Sequence, residues 1–148
     1  MRWGRVRIRP VALGLLAVPA LAGCGGSSPT ASQLRTRATQ ICNAAARRLN
    51  TIPTPVQPNQ GEAFVTRGIG ALSHELSALR AMHAPSTFHD AVAAKATELA
   101  LLRSTAKGLK AGNDPVVAIK TLQTQLATVE ARDDLAWEDL GIPACVNR

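Results

Sequence analysis

Apolar residues recur at three- and four-residue spacing along most of the chain, which is the repeat of an amphipathic α-helix. Stretches that contain proline or glycine divide the pattern into four segments. The predicted helices run from about 32 to 50, 59 to 84, 86 to 112 and 114 to 140. Runs of β-branched and aromatic residues, which favour strands, are nearly absent. The pattern therefore predicts an all-α fold.

Turn and capping residues predict where these helices begin and end. Three prolines after the first helix indicate a stiff, extended connection. Asn59 with Glu62 predicts a capping box for the second helix, and Ser86 predicts an N-cap for the third. Asp114, which precedes a proline, is expected to open the fourth helix. Gly141 is expected to end it in the left-handed conformation.

Heptad positions in the last three helices predict how these helices pack together. In an antiparallel helix pair, the residues of one layer have sequence numbers whose sum is constant. The sequence numbers of Leu109 and Ile119 have the same sum as those of Leu99 and Val129. The apolar positions of helices two and three give a second constant sum. It predicts that His83 lies in the first layer of helix three. Residues 32–148 are therefore predicted to form an antiparallel up-down four-helix bundle.

Two charged residues, Lys95 and Asp133, interrupt these apolar seams. Their numbers have the same sum as the apolar pairs, which places both in one layer beside Leu76. We expect a partly buried ion pair that fixes the register of the helices, because an unpaired charge at either position would be strongly destabilising. No other polar residue joins this layer in the predicted register. The alternative interpretation is an ionisable functional site inside the bundle.

The first 23 residues differ in composition from the rest of the chain. Four arginines and no acidic residue precede a short apolar run, and small residues follow it. This order is that of a secretory signal peptide, and the run is shorter than the roughly 20 apolar residues of a membrane span. Without these four arginines, the excess of basic over acidic residues falls from seven to three. The other basic residues are dispersed, so no nucleic-acid partner is expected.

The apolar run ends in the tetrapeptide LAGC at residues 21–24, which resembles the lipobox of bacterial lipoproteins. The resemblance implies that residues 1–23 are removed and that Cys24 carries a diacylglyceryl group. Such a lipid would anchor the protein on the outer face of the cell membrane, with residues 24–31 as a flexible tether. The alternatives are an ordinary signal peptide with a chance cysteine and an uncleaved core helix. The Ala- and Arg-rich composition is similar to that of small lipoproteins of high-GC bacteria, a likeness that implies no activity.

Cys42 and Cys145 remain once Cys24 is assigned to lipid. Export would place these two cysteines in an oxidising compartment, so we predict a disulfide between them. Closing a loop of roughly a hundred residues would stabilise the fold by about 4 to 5 kcal/mol in the chain-entropy treatment. A redox pair or two metal thiolates are the alternatives. The sequence has no Cys-x-x-Cys motif and no histidine near either cysteine.

Candidate metal ligands and catalytic groups are few. His83 and His89 flank the turn between helices two and three, beside Met82, and their spacing would allow them to share a metal such as copper. Solvated histidines are the alternative interpretation. The consecutive Ser, His and Glu at 73–75 point in different directions on a helix, so they do not form a triad. We predict no catalytic residue, no cofactor and no enzymatic activity.

The remaining features favour a binding or interaction protein. Gly68 and Gly70 are expected to permit close approach of a neighbouring helix or a bend. Trp137 is expected to cap the hydrophobic layer. A core of Leu and Ala with few aromatic residues should leave little room for a cavity, which favours a non-catalytic interaction or accessory protein that contacts another envelope protein. The alternative function is binding of a metal ion or a small apolar ligand within or at the end of the bundle.

Overall fold

The structure, a computed structural model, describes residues 29–146. This segment forms four α-helices: α1 (Ala31–Asn50), α2 (Gly61–Arg80), α3 (His89–Lys110) and α4 (Pro115–Asp139). Three short 3₁₀ helices lie at Pro58–Gln60, Ser86–Phe88 and Pro143–Cys145. The predicted signal peptide, Cys24 and residues 25–28 of the tether lie outside the described residues.

The four helices pack as an antiparallel up-down bundle, which confirms the predicted fold class. Helix α3 lies between α2 and α4, while α1 packs against α2 and against the C-terminal 3₁₀ helix. The beginning of α1 and the C-terminal segment therefore lie at the same end of the bundle. In the part of the chain from 29 to 146, no helix is both long enough and apolar enough to cross a bilayer.

Side-chain caps fix several helix ends. At the start of α1, the Thr30 hydroxyl accepts a hydrogen bond from the Gln33 backbone N–H at 3.2 Å, and the Gln33 side chain accepts one from the Thr30 N–H at 2.8 Å. Asp114 caps α4 as predicted, because its carboxylate accepts a hydrogen bond from the Val117 N–H at 2.9 Å. Gly141 follows α4 with a φ of 68°, the predicted left-handed conformation.

The predicted starts of α2 and α3 are wrong by a few residues. Asn59 and Ser86 do not cap α-helices; each lies in a 3₁₀ helix that precedes one. A proline begins or precedes each of these turns, and its fixed φ favours a tight turn before the regular helix. Helix α2 also ends earlier than predicted, at Arg80. His83 lies in the turn that follows, with a φ of 48°, and is exposed instead of filling a core layer.

The core is divided along the bundle axis. A cluster at the tether end joins all four helices and the C-terminal segment, and it includes Leu34, Ala38, Leu79, Phe88, Trp137 and Ile142. A distal cluster is built from α2, α3 and α4, with Val65, Ala106, Leu109 and Leu122 at its centre. These clusters lie within residues 29–146, so this segment has its own hydrophobic core, which is the requirement for a segment that can fold alone.

Cys42 and Cys145 form the predicted disulfide. Their Cα atoms are 5.2 Å apart, and the bond joins two residues that are 103 positions apart in the sequence. Both cysteines are buried in the tether-end cluster. The disulfide thereby holds the middle of α1 against the C-terminal segment, which determines where α1 lies on the bundle.

Candidate functional site

A cleft of about 320 Å³ lies beside the last turn of α1, where all four helices meet. Its walls are mostly apolar and include Ile52, Phe64, Val65, Leu72, Leu102 and Leu126. The cleft exists because α1 is fixed at the tether end, whereas the distal cluster is formed by the other three helices. The expectation that a Leu and Ala core leaves little room for a cavity is therefore wrong.

Gly68 contributes to the opening of this cleft from the middle of α2. A Cβ atom built on Gly68 meets no atom within 4 Å, and the same is true of Gly70. Neither glycine is thus a point of close helix approach, which corrects that part of the sequence prediction. Glycine within a helix is destabilising by roughly 0.5 to 1 kcal/mol relative to alanine. At Gly68 the missing side chain leaves open space at the edge of the cleft.

Charged side chains form one end of the cleft. The structure brings Lys95 and Asp133 together as an ion pair between α3 and α4. Lys95 Nζ also donates to both carboxylate oxygens of Glu98, each at 3.1 Å. All three residues are almost completely buried, with exposed fractions of 6% or less. A buried ammonium group is tolerated here because two carboxylates surround it.

Two polar partners that the heptad pattern did not predict join this layer. Glu98 lies one helical turn after Lys95, and Trp137 lies one turn after Asp133. The Trp137 indole Nε1–H donates to Asp133 Oδ1 at 2.8 Å. The Trp137 ring is fully buried and meets Phe88 edge to face, with ring centroids 6.3 Å apart. The expectation that Lys95 and Asp133 would be the only polar groups of the layer is therefore wrong.

Burial raises the pKa of Glu98 from 4.5 to about 7. Desolvation of the carboxylate is the main cause, and the charge of Lys95 opposes it. The negative charges of Asp133 and Glu130 raise the pKa further. This charge effect adds to the desolvation, since the single ammonium group of Lys95 faces more than one carboxylate. Glu98 is therefore partly protonated near neutral pH.

Glu75 and Glu130 add two more carboxylates to the wall of the cleft. Glu75 comes from α2 and is almost completely buried, whereas Glu130 comes from α4 and is exposed. Neither residue was predicted from the sequence. Glu75 directly precedes the seam residue Leu76 and lines the cleft together with Leu49 of α1, so it lies on the face of α2 toward α1. The periodicity of the last three helices contains no information about that face.

Of the three weak metal-ligand candidates, the structure places two, His83 and His89, at one depression and the third in the core. Met82 is buried in the tether-end cluster. His83 and His89 are exposed and line a shallow depression at the turn between α2 and α3. Within residues 29–146, no group of three or more His, Cys, Asp or Glu side chains is arranged to hold a metal ion.

The sequence matches no protein-family model, no curated protein and no solved structure. Inference of function therefore depends on the chemistry of the cleft. A concave space with mostly apolar walls and a few polar groups is the usual form of a small-molecule binding site. The cleft can hold the hydrocarbon part of a ligand against its leucine walls and a polar head against the buried carboxylates.

Proposed function

We propose that this protein is a lipid-anchored lipoprotein of the bacterial cell envelope whose helical bundle binds a small amphiphilic ligand without catalysing a reaction. The cleft beside the last turn of α1 is the observation that carries this proposal. It supports the ligand-binding alternative over an interaction protein with a filled core. The lipid anchor is supported by the lipobox at residues 21–24 and the preceding basic and apolar segments.

The size of the cleft limits what it can hold. A water-sized group occupies roughly 30 Å³ in a liquid, so 320 Å³ accommodates on the order of ten non-hydrogen atoms. A short hydrocarbon chain with one polar head group matches this size. Burial of such a chain would contribute about 0.8 kcal/mol for each methylene group removed from water.

A titration with short amphiphiles tests this function. The bundle segment, residues 29–148 with the disulfide intact, is titrated by calorimetry with octanol, octanoate and octylammonium in turn. At least one of them is expected to bind with one-to-one stoichiometry. Absence of binding by all three would overturn the proposed function.

Two glycines provide a matched pair of variants for this titration. Gly68→Leu places a side chain in the cleft and is expected to weaken binding at least about tenfold. Gly70→Leu adds the same side chain to the same helix, but Gly70 lines a different depression. This variant is therefore expected to bind the probes as tightly as the wild type does. Each substitution should also stabilise α2 by about 0.5 to 1 kcal/mol. Equal binding by both variants would place the ligand elsewhere.

The anchor is tested separately by mass spectrometry of the protein from its native membrane. The expected chain begins at Cys24 and carries the mass of a diacylglyceryl group. A native chain that retains residues 1–23 and a free thiol at Cys24 would contradict the anchor. That result would leave the binding site of the bundle unaffected.

Docking of another envelope protein is a second candidate function. Its support is an apolar patch at the bundle end opposite the tether, where Val56, Val116 and Val117 are mostly exposed. Val56 and Val116 lie beside three prolines around the starts of α2 and α4. Crosslinking in intact cells is expected to capture one defined partner with the wild type, and to lose it when Val56 and Val116 are replaced by Asp. Unchanged capture by this variant would exclude the patch.

A further inference from the structure

The distal end of the bundle, opposite the tether, is rich in basic residues. It comprises the first halves of α2 and α4, the second half of α3 and the turn between α3 and α4. Five exposed basic residues lie there: Arg67, Arg103, Lys107, Lys110 and Lys120. Of the 10 acidic residues of the chain, only Glu62 and Asp114 lie at this end. The basic residues are dispersed along the sequence, and the antiparallel packing of the helices collects them at one end.

Helix dipoles account for only part of this charge. Both acidic residues lie at helix starts, where the dipole favours negative charge, since Glu62 is in the first turn of α2 and Asp114 caps α4. Lys107 and Lys110 lie in the last turn of α3, where the dipole favours positive charge. The remaining three basic residues lie outside the terminal turns: Arg67, Arg103 and Lys120. These three positions have no such local reason, so the basic surface calls for a partner.

Three exposed valines give the distal end an apolar centre. Val56 is 84% exposed, and Val116 and Val117 are 60% and 63% exposed. Lys120 lines one depression together with Val56, Val116 and three prolines. Lys110 ends α3, on the other side of the short turn that leads to Val116. An apolar centre with a polar and charged rim is the usual form of a protein-binding surface.

We infer that the distal end docks on an acidic protein surface whose centre is apolar. This inference rests on the second candidate function and specifies the chemistry of its partner; it is independent of ligand binding in the cleft. The valines contact the apolar centre of the partner, and the lysine and arginine side chains face its carboxylates. Charge complementarity of this kind speeds the encounter and excludes basic partners.

Two features favour a protein over another anionic partner. The tether joins the bundle at Thr30, which caps α1 at the opposite end. The basic end therefore points away from an anionic membrane surface that holds the anchor. A polysaccharide or polyphosphate chain would gain little from contact with valine, whereas an apolar side chain of a protein is removed from water there.

Three labelled peptides of equal length test the inference by fluorescence anisotropy. The full chain is used in a non-ionic detergent at physiological ionic strength. One peptide contains glutamate and leucine, the second has serine in place of each leucine, and the third has lysine in place of each glutamate. The glutamate–leucine peptide is expected to bind at least about tenfold more tightly than the glutamate–serine peptide. The lysine–leucine peptide is expected not to bind.

Two pairs of charge reversals locate the binding surface. Lys110→Glu with Lys120→Glu is expected to weaken binding of the glutamate–leucine peptide at least about fivefold, because two attractions become repulsions. Arg80→Glu with Arg132→Glu is the matched control, since both arginines are exposed, lie outside the distal end and give the same change in net charge. The affinity of the control should stay within about twofold of the wild type, because salt screens exposed charges beyond roughly 8 Å.

Val56→Ser with Val116→Ser separates the apolar contribution from the charge. This variant should weaken binding of the glutamate–leucine peptide and leave binding of the glutamate–serine peptide unchanged. Equal binding of these two peptides by the wild type would assign the basic end to polyanions in general and overturn the inference. Absence of binding by the glutamate–leucine peptide, or equal losses in both charge-reversal variants, would also overturn it. Capture of a partner in cells through the valines, combined with any of these results, would leave the docking function standing without an acidic partner.

Discussion

The Trp137 indole donates a hydrogen bond of 2.8 Å to Asp133 Oδ1, while the other carboxylate oxygen of Asp133 pairs with Lys95. One carboxylate thus connects the aromatic core at the tether end to the charged end of the cleft. Asp133 and Trp137 do not line the cleft but support Lys95, which does, and both are almost completely buried. Rigid support of this kind is what a small-molecule site requires.

Asp133→Asn tests the ion pair. The substitution retains an acceptor for Trp137 but removes the charge opposite Lys95, and Glu98 becomes the remaining carboxylate in contact with the ammonium group. We expect the free energy of unfolding in urea to fall by about 3 kcal/mol. Asp139→Asn, at the exposed end of the same helix, should change it by less than about 0.5 kcal/mol. Wild-type stability of Asp133→Asn would show that the pair is energetically unimportant.

A double-mutant cycle tests the contact between Asp133 and Trp137. Trp137→Phe keeps an aromatic ring near Phe88 but removes the N–H donor, and we expect a loss of about 1.5 to 3 kcal/mol. Combined with Asp133→Ala, which removes the acceptor, the two single-variant losses should sum to more than the loss of the double variant, by at least about 0.5 kcal/mol. Circular dichroism during urea unfolding measures all four proteins. Strictly additive losses would mean that the two residues act independently.

Loss of the disulfide is expected to destabilise the whole bundle. Cys42→Ser combined with Cys145→Ser should reduce the free energy of unfolding by about 4 to 5 kcal/mol, because the unfolded chain regains the freedom of a long loop. Cys24→Ser is the matched control and should unfold like the wild type. Thermal unfolding in the full chain compares the two. An unchanged Tm in the double variant would indicate that the bridge adds nothing to the fold.

The raised pKa of Glu98 predicts how stability depends on pH. The folded protein retains the Glu98 proton to higher pH than the unfolded chain does, so the contribution of this proton is full below pH 4.5 and is lost as pH rises through about 7. At about 1.4 kcal/mol per pKa unit, the loss reaches about 3 kcal/mol. Glu98→Gln should remove this decline. Urea unfolding at about pH 5 and about pH 8 measures this decline. An equal loss of stability in the wild type and in Glu98→Gln would refute the assignment.

The sequence was informative where two helices share one periodic seam. Lys95 and Asp133 could be paired from the heptad pattern alone, because both break an apolar seam at the same layer. Helix α1 was different, since its proline-rich connection to α2 leaves its register open. Glu75 and Glu130 face the space that α1 only partly covers, so their role depends on the position of α1. For the additional polar groups, the sequence contained one signal. Glu98 lies one helical turn after Lys95, and Trp137 lies one turn after Asp133.

The most direct test of the cleft as the binding site is a methyl NMR spectrum of the bundle segment during titration with the probe that binds most tightly among octanol, octanoate and octylammonium. The largest shift changes are expected at the methyl groups of Ile52, Leu102 and Leu126, which line the cleft. Val116 and Val117, at the exposed distal patch, should remain unchanged. Changes concentrated at those two valines, or no change at any methyl group, would contradict a ligand site between the helices.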